Sequence, residues 1–222
     1  MPPLELINGT WCPASDPYFE PLLRSGQFYD QWTLEQALPQ VRQRRLCLDI
    51  GAHIGTWTVQ LAREFELVVA FEPDMQNFTA LARNLALAEV TNVRALPLAV
   101  AHRSGRFCLS HEGCINSGEG YLTPVSEGDD WVIGLKLDDA QFTDVDLIKL
   151  DVEGLEWEIL ANGERTIRSN RPVVVLEENQ RIGARYGGAA DDARGLLQDW
   201  GMTEVARREF IDGVFDVVLA WP

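Results

Sequence analysis

Apolar residues recur along the chain in two alternating periods. Leu46–Ile50, Leu67–Phe71, Val145–Leu150 and Val173–Leu176 are short apolar runs of the kind shown by strands buried on both faces. Between them the period lengthens. Phe78, Leu81, Ala82, Leu85 and Ala88 share one face of a helix over Met75–Ala88, and Thr56–Phe65 is also amphipathic. A helix is expected from Val152–Glu156 to about Ala161, closed by Asn162-Gly163, then a shorter one over Glu164–Ser169 and another over Asp191–Trp200, stopped by Gly201. Asn92–Val100 reads as a third strand in the series, and Arg106–Ser110 and Trp131–Leu137 as additional ones. Met202–Arg208 and Val214–Trp221 read as two strands joined at Asp212-Gly213. This alternation predicts an α/β fold: a mostly parallel sheet, helices on both faces and an antiparallel strand near one edge.

Two stretches depart from that rhythm. Residues 1–43 carry Pro2, Pro3, Pro13, Pro17 and Pro21, which exclude long regular elements, yet hold Trp11, Tyr18, Phe19, Phe28, Tyr29 and Trp32, too many aromatics for a disordered tail. A helix with an N-cap at Thr33 is expected up to Val41. The region is either a cap across the ligand site or a brace without ligand contact; residues 44–222 form the main part of one globular domain. Glu112–Asp130 is polar, glycine-rich and without period, as functional loops often are.

The chain has 222 residues and a formal net charge of −15. An extended duplex nucleic-acid footprint needs a basic face, so nucleic acid is not an expected partner. No apolar run is long enough for a membrane span and no signal peptide is visible; the four cysteines lack framework spacing, which fits a reducing cytoplasm. Cys108, His111 and Cys114 form a Cys-x-x-His-x-x-Cys cluster, but its spacing is not a usual zinc pattern and a fourth ligand is missing.

The chemistry gathers where strands end. Leu46–Ile50 runs into Gly51-Ala52-His53-Ile54-Gly55, a strand–glycine turn–helix junction that presents backbone amides to a ligand. Glycine there would let a ligand approach where a Cβ would block it. A dinucleotide fingerprint would need glycine at positions 53 and 56, where His53 and Thr56 stand, and the Gly-Lys-Ser/Thr of a phosphate loop is absent. Asp49 before the turn repels pyrophosphate and suits a ligand with an amino or sulfonium group. Glu72, about 20 residues beyond the turn, is placed to accept ribose hydroxyls, and Pro73 ends its strand. Asp151 and Glu177-Glu178-Asn179 end the next two strands, so acids collect at the edge where open α/β sheets bind ligands.

These residues resemble the class I S-adenosylmethionine-dependent methyltransferases, and more narrowly the FkbM family. The similarity spans about Phe28–Asn179, through Leu48-Asp49-Ile50-Gly51-Ala52-His53-Ile54-Gly55, Phe71-Glu72-Pro73, Leu137-Asp138-Asp139, Ile148-Lys149-Leu150-Asp151-Val152-Glu153-Gly154-Leu155-Glu156 and Val175-Leu176-Glu177. It implies a Rossmann-like sheet of seven strands and methyl transfer to a hydroxyl of a small molecule, sugar or glycan. Asp49, Gly51, His53, Gly55 and Thr56 would surround the methionine half of S-adenosylmethionine, with Asp151 nearby. Glu72 and Pro73 would hold the ribose; Ala99 and Val100 would flank the adenine, near His102. Asp151 is the first choice for the base or acceptor-orienting group and Glu153 the second. Asn116, Ser117, Glu177 and Glu178 are candidates for the acceptor. A metal-assisted variant would use Asp151 with Glu177, Glu178 or Asn179, but no metal is assigned. The family usually has asparagine at the position of His53, so a pH dependence near the histidine pKa is an expectation. An N-methyltransferase of the same fold and a silent cofactor-binding module are the alternatives; a nicotinamide oxidoreductase is the third and weakest, because of the glycine spacing.

Overall fold

The computed structural model describes residues 3–26, 30–125, 131–182, 186 and 192–222. Phe28, Tyr29, Asp191 and the end of the polar stretch beyond residue 125 lie outside the described residues. Strands β1 (Leu4–Ile7) and β2 (Thr10–Pro13) form a hairpin, followed by helices α1 (Phe19–Ser25) and α2 (Gln31–Ala37). Then come β3 (Leu46–Ile50), α3 (Thr56–Leu61), β4 (Leu67–Phe71), α4 (Met75–Leu87), β5 (Val93–Leu96), β6 (Ala99–Ala101), β7 (Gly105–Ser110), β8 (Tyr121–Thr123) and β9 (Val132–Lys136). The chain closes with β10 (Val145–Leu150), α5 (Glu156–Ala161), α6 (Glu164–Asn170), β11 (Val173–Asn179), α7 (Asp192–Asp199), β12 (Thr203–Ile211) and β13 (Val214–Ala220).

Seven strands form the main sheet in the order β12-β13-β11-β10-β3-β4-β5, with β13 antiparallel to both neighbours and the other pairings parallel. The Rossmann-like architecture expected from the strand–helix rhythm is therefore present. Alternation along each strand splits the interior into two cores. Leu48, Ile148, Val174, Leu176, Val217 and Leu219 face one side, under α5, α6 and α7. Cys47, Leu147, Val173, Val175 and Val218 face the other, against α2 and α3. No helix among the described residues is long and apolar enough to cross a membrane.

Four local expectations change. The stretch read as one strand, Asn92–Val100, is two: Pro97 breaks it, β5 stays on the main sheet, and β6 joins a second sheet of order β6-β9-β7-β8. Strand β8, only three residues long, lies inside the segment that showed no period. Helix α5 starts at Glu156, because Glu153 and Gly154 adopt left-handed conformations (φ 58° and 105°) that a right-handed helix excludes. Helix α2 starts at Gln31, and the Thr33 hydroxyl caps nothing: it donates to the Asp216 carboxylate on β13.

Candidate active site

At the end of β3 the chain turns sharply. Gly51 and Ala52 donate their amides to the Phe71 carbonyl on β4 (3.1 and 2.9 Å), and Gly55, at φ 87°, opens α3. Both glycines are pressed against the protein itself. A Cβ on Gly51 (φ 80°) would stand 1.7 Å from the Asp151 backbone oxygen, and one on Gly55 would stand 2.4 Å from Leu81 Cδ1. They let the loop lie against β10 and α4, so close packing of the protein on itself requires glycine at both positions.

Above this loop is a cavity of about 450 Å³, within the range of small-molecule sites. Its first wall is the glycine loop with the end of β4. The buried Glu72 carboxylate accepts from the backbone amides of His53 (2.8 Å, Oε2) and Asp74 (2.9 Å, Oε1). Burial pushes its pKa up to about 7, although those two hydrogen bonds pull the other way. His53, at φ 51°, packs its ring on Phe19 (centroids 4.4 Å apart) and places Nε2 2.8 Å from Ser117 Oγ. Burial pulls its pKa down to about 4, so His53 is neutral near pH 7.

Ser117 ties the roof together. Its amide donates to Asp16 Oδ2 (2.8 Å) and its carbonyl accepts from Asn77 Nδ2 (2.8 Å). The N-terminal arm, the polar stretch and α4 thus meet over the glycine loop. Asp16 also caps the start of α1 through the Tyr18 and Phe19 amides, and these bonds hold its carboxyl below the usual value against the effect of burial.

The opposite wall is acidic and comes from the ends of β10 and β11. Lys149 Nζ donates to the Gly51 carbonyl (2.7 Å) and to Asp151 Oδ2 (3.1 Å), and lies 3.8 Å from Asp49 Oδ1. Burial alone would lower its pKa; the Asp151 and Asp49 carboxylates outweigh this and hold it above the ordinary lysine value. Asp151, Glu153 and Glu177 bring carboxylate oxygens within 4.8 Å of one another, a spacing a hard cation could bridge and one that acidic pockets also adopt without an ion. Glu177 is pushed well above the usual carboxylate range by burial and by its acidic neighbours, Asp151 foremost. Glu156 accepts from the Val152 and Gly154 amides (3.1 and 3.3 Å), which fixes the turn carrying Glu153. Asn179, Arg181 and the apolar Phe210, Ile211 and Val214 complete this end.

Gly51, His53, Thr56, Glu72, Pro73, Asn116, Ser117, Asp151, Glu153 and Glu177 all line the cavity. Five other expected residues do not. Asp49 is fully buried behind the loop, bonded to the Thr58 hydroxyl (2.6 Å). Gly55 sits beneath the loop against Leu81. Ala99 and Val100 left with β6 for the hydrophobic core, once Pro97 had broken the strand. Glu178 points to the other face of β11, where it binds Arg194 (2.7 Å) and Arg207 (3.2 Å), because β11 continues to Asn179 and neighbours on a strand face opposite ways. The Cys-x-x-His-x-x-Cys stretch does not converge: His111 pairs with Asp74 (3.0 Å), while Cys108 is buried on β7. Sequence reasoning missed Lys149, Asn77 and the roof contact of Asp16. The one available signal was that Lys149 is one of only two lysines in a chain with seventeen arginines.

The FkbM methyltransferase domain model matches residues 49–203. No curated protein matches the chain. Among solved structures, the FkbM methyltransferase of Methylobacillus flagellatus KT has a TM-score of 0.57 at 18% identity, covering 98% of this chain and 48% of that one. The chain therefore spans about half the length of that protein. An rRNA methylase of Streptococcus thermophilus gives 0.52 at 10% identity (88% and 97% covered). SMU.1697c of Streptococcus mutans, solved in complex with SAH, gives 0.52 at 9% (87% and 98% covered). At these identities the likeness is one of fold.

Proposed function

The chain belongs to the FkbM methyltransferase family, and from that premise we propose that it transfers the methyl group of S-adenosylmethionine to a hydroxyl of a small molecule, sugar or glycan. One observation carries the reading: a buried strand-end carboxylate, Glu72, held by two backbone amides beside a glycine loop, across a cavity from Asp151. The donor set suits the cofactor. Glu72 would accept the ribose hydroxyls, Pro73 would lie beside the nucleoside, and Gly51, His53 and Thr56 would border the methionine half, with Asp49 acting from behind through the loop. The described part of the N-terminal arm would act as both brace and cap: Asn84 clamps the Trp11 backbone to α4, while Tyr18 and Phe19 reach the cavity.

S-adenosylmethionine supplies an electrophilic methyl group on a sulfonium. The protein's part is to align the acceptor oxygen behind that carbon, so positioning provides much of the acceleration. With the cofactor bound, the Asp151 carboxylate would take the proton of the acceptor hydroxyl, with Glu153 the next carboxylate in reach. Glu177, Asn116 and Ser117 would bind acceptor polar groups. Calorimetric titration with S-adenosylmethionine and with NAD tests the cofactor; no binding of the former ends this reading. A screen of hydroxyl, amine and RNA acceptors with tritiated cofactor tests the acceptor, and label found on nitrogen or RNA alone would replace the hydroxyl.

A further inference from the structure

Seventeen of the nineteen basic side chains are arginine; the lysines are Lys136, at the end of β9 beside a surface turn, and Lys149. A guanidinium is a planar fork, whereas an ammonium is a compact charge with three donors that can point in three directions. Lys149 uses that property. From the centre of the sheet its Nζ reaches the Gly51 carbonyl, the Asp151 carboxylate and the neighbourhood of Asp49. Asp49 Oδ1 accepts no hydrogen bond among the described residues, so the ammonium 3.8 Å away is what offsets its charge. Gly51 is pressed on the Asp151 backbone by its missing Cβ, and Lys149 joins the same two residues through its side chain.

We propose that Lys149 is a positioning residue: its ammonium ties the Asp151 carboxylate to the Gly51 carbonyl, keeping the acid that faces the acceptor in register with the loop that faces the cofactor, and it offsets the negative charge that a sulfonium meets there. The proposal rests on the reading of Gly51 and Asp151 as the two sides of the transfer site.

The test is calorimetry with S-adenosylmethionine and with S-adenosylhomocysteine at pH 8 on the wild type, Lys149→Met and Lys149→Arg. The two ligands differ by one methyl group and the positive charge it confers on sulfur, so a structural loss that does not touch that methyl weakens both alike. In Lys149→Met the neutral thioether is expected to bind about tenfold more weakly and the sulfonium much less so, raising the ratio of their affinities at least about fivefold, because uncompensated carboxylates now attract the cation. Lys149→Arg keeps the charge and loses the three-way reach, so both ligands weaken while the ratio stays within about twofold of wild type. Equal losses in Lys149→Met overturn the proposal. Absence of binding in the wild type overturns the functional reading with it, whereas wild-type binding with an unmoved ratio overturns the proposal alone. Should Lys149→Met fail to fold, ¹⁵N-lysine labelling of the wild type gives two side-chain signals to follow. Saturating S-adenosylhomocysteine is expected to move the Lys149 ammonium and leave Lys136 in place; an unmoved Lys149 signal overturns the proposal.

Discussion

The two walls of the cavity handle buried acid in opposite ways. On the β3–β4 side the buried Glu72 carboxylate is held by two backbone amides whose positions the glycine loop and the start of α4 dictate. On the β10–β11 side Asp151, Glu153 and Glu177 crowd together, and burial, with the acids beside it, pushes the Glu177 carboxyl well above the usual carboxylate range. The first wall is built from main chain, so changing it changes the fold. The second is built from side chains on a shared edge, so its members can be exchanged one at a time.

The largest expected effect is therefore on the main-chain wall. Gly51→Ala puts a Cβ into the Asp151 carbonyl at a φ that alanine disfavours. A loss of about 4 kcal/mol, roughly 10 °C in Tm, is expected by differential scanning fluorimetry. A Tm within 2 °C of wild type would mean the two walls are not pressed together as described. Next comes Glu72→Ala. It removes the group proposed to accept two ribose hydroxyls, at about 1.5–3 kcal/mol for each bond to a charged acceptor, so S-adenosylhomocysteine affinity is expected to fall about 100-fold or more. Affinity within fivefold of wild type assigns the ribose elsewhere.

The side-chain wall should respond the other way. Glu177→Gln removes a carboxyl that burial and Asp151 hold well above its usual pKa. Such an acid keeps its proton more tightly when folded, so its contribution to stability is lost as pH rises. At pH 8 the amide is expected to stabilise the protein by about 1–2 kcal/mol and to leave S-adenosylhomocysteine affinity within about threefold. Destabilisation by this substitution would show that Glu177 is engaged as an anion, which breaks the contrast between the walls.

Much of this was legible beforehand, for physical reasons that can be named. Strands buried on both faces leave dense apolar runs, and β3, β4, β10 and β11 were found where those runs lie. Gly51, Glu72 and Asp151 could be located at the cavity edge because each directly follows such a strand. Glu177 and Glu178 could not be told apart while β11 was taken to stop at Leu176; three more residues of strand decide which acid faces the cavity. Strand β8 escaped because three residues carry no period. The roof escaped because the bonds of Ser117 to Asp16 and Asn77 join residues 101 and 40 positions apart, and nothing in composition encodes such pairs.

The smallest expected effect concerns which wall residue sets the pH dependence. From sequence, His53 is the candidate, since it stands where asparagine is usual and an ordinary imidazole titrates near 6.5. Its surroundings reassign the role. Burial takes His53 down to about 4, outside the working range, and takes Glu72 up to about 7, into it. The sign for Glu72 follows from linkage. Its folded pKa exceeds the ordinary 4.5, so the stability this group contributes is present below that value and is lost as pH rises through 7, by about 3 kcal/mol at the limit. Ligand binding runs the other way, because the carboxylate is the better acceptor for two hydroxyls: S-adenosylhomocysteine affinity should rise between pH 5.5 and 8 with a midpoint near 7. His53→Asn should keep that midpoint and change affinity by no more than about threefold, since asparagine can hydrogen-bond from the same position. Glu72→Gln should flatten the profile, and should also remove the fall in apo stability over the same range. A midpoint that vanishes in His53→Asn and survives in Glu72→Gln would return the titration to the histidine.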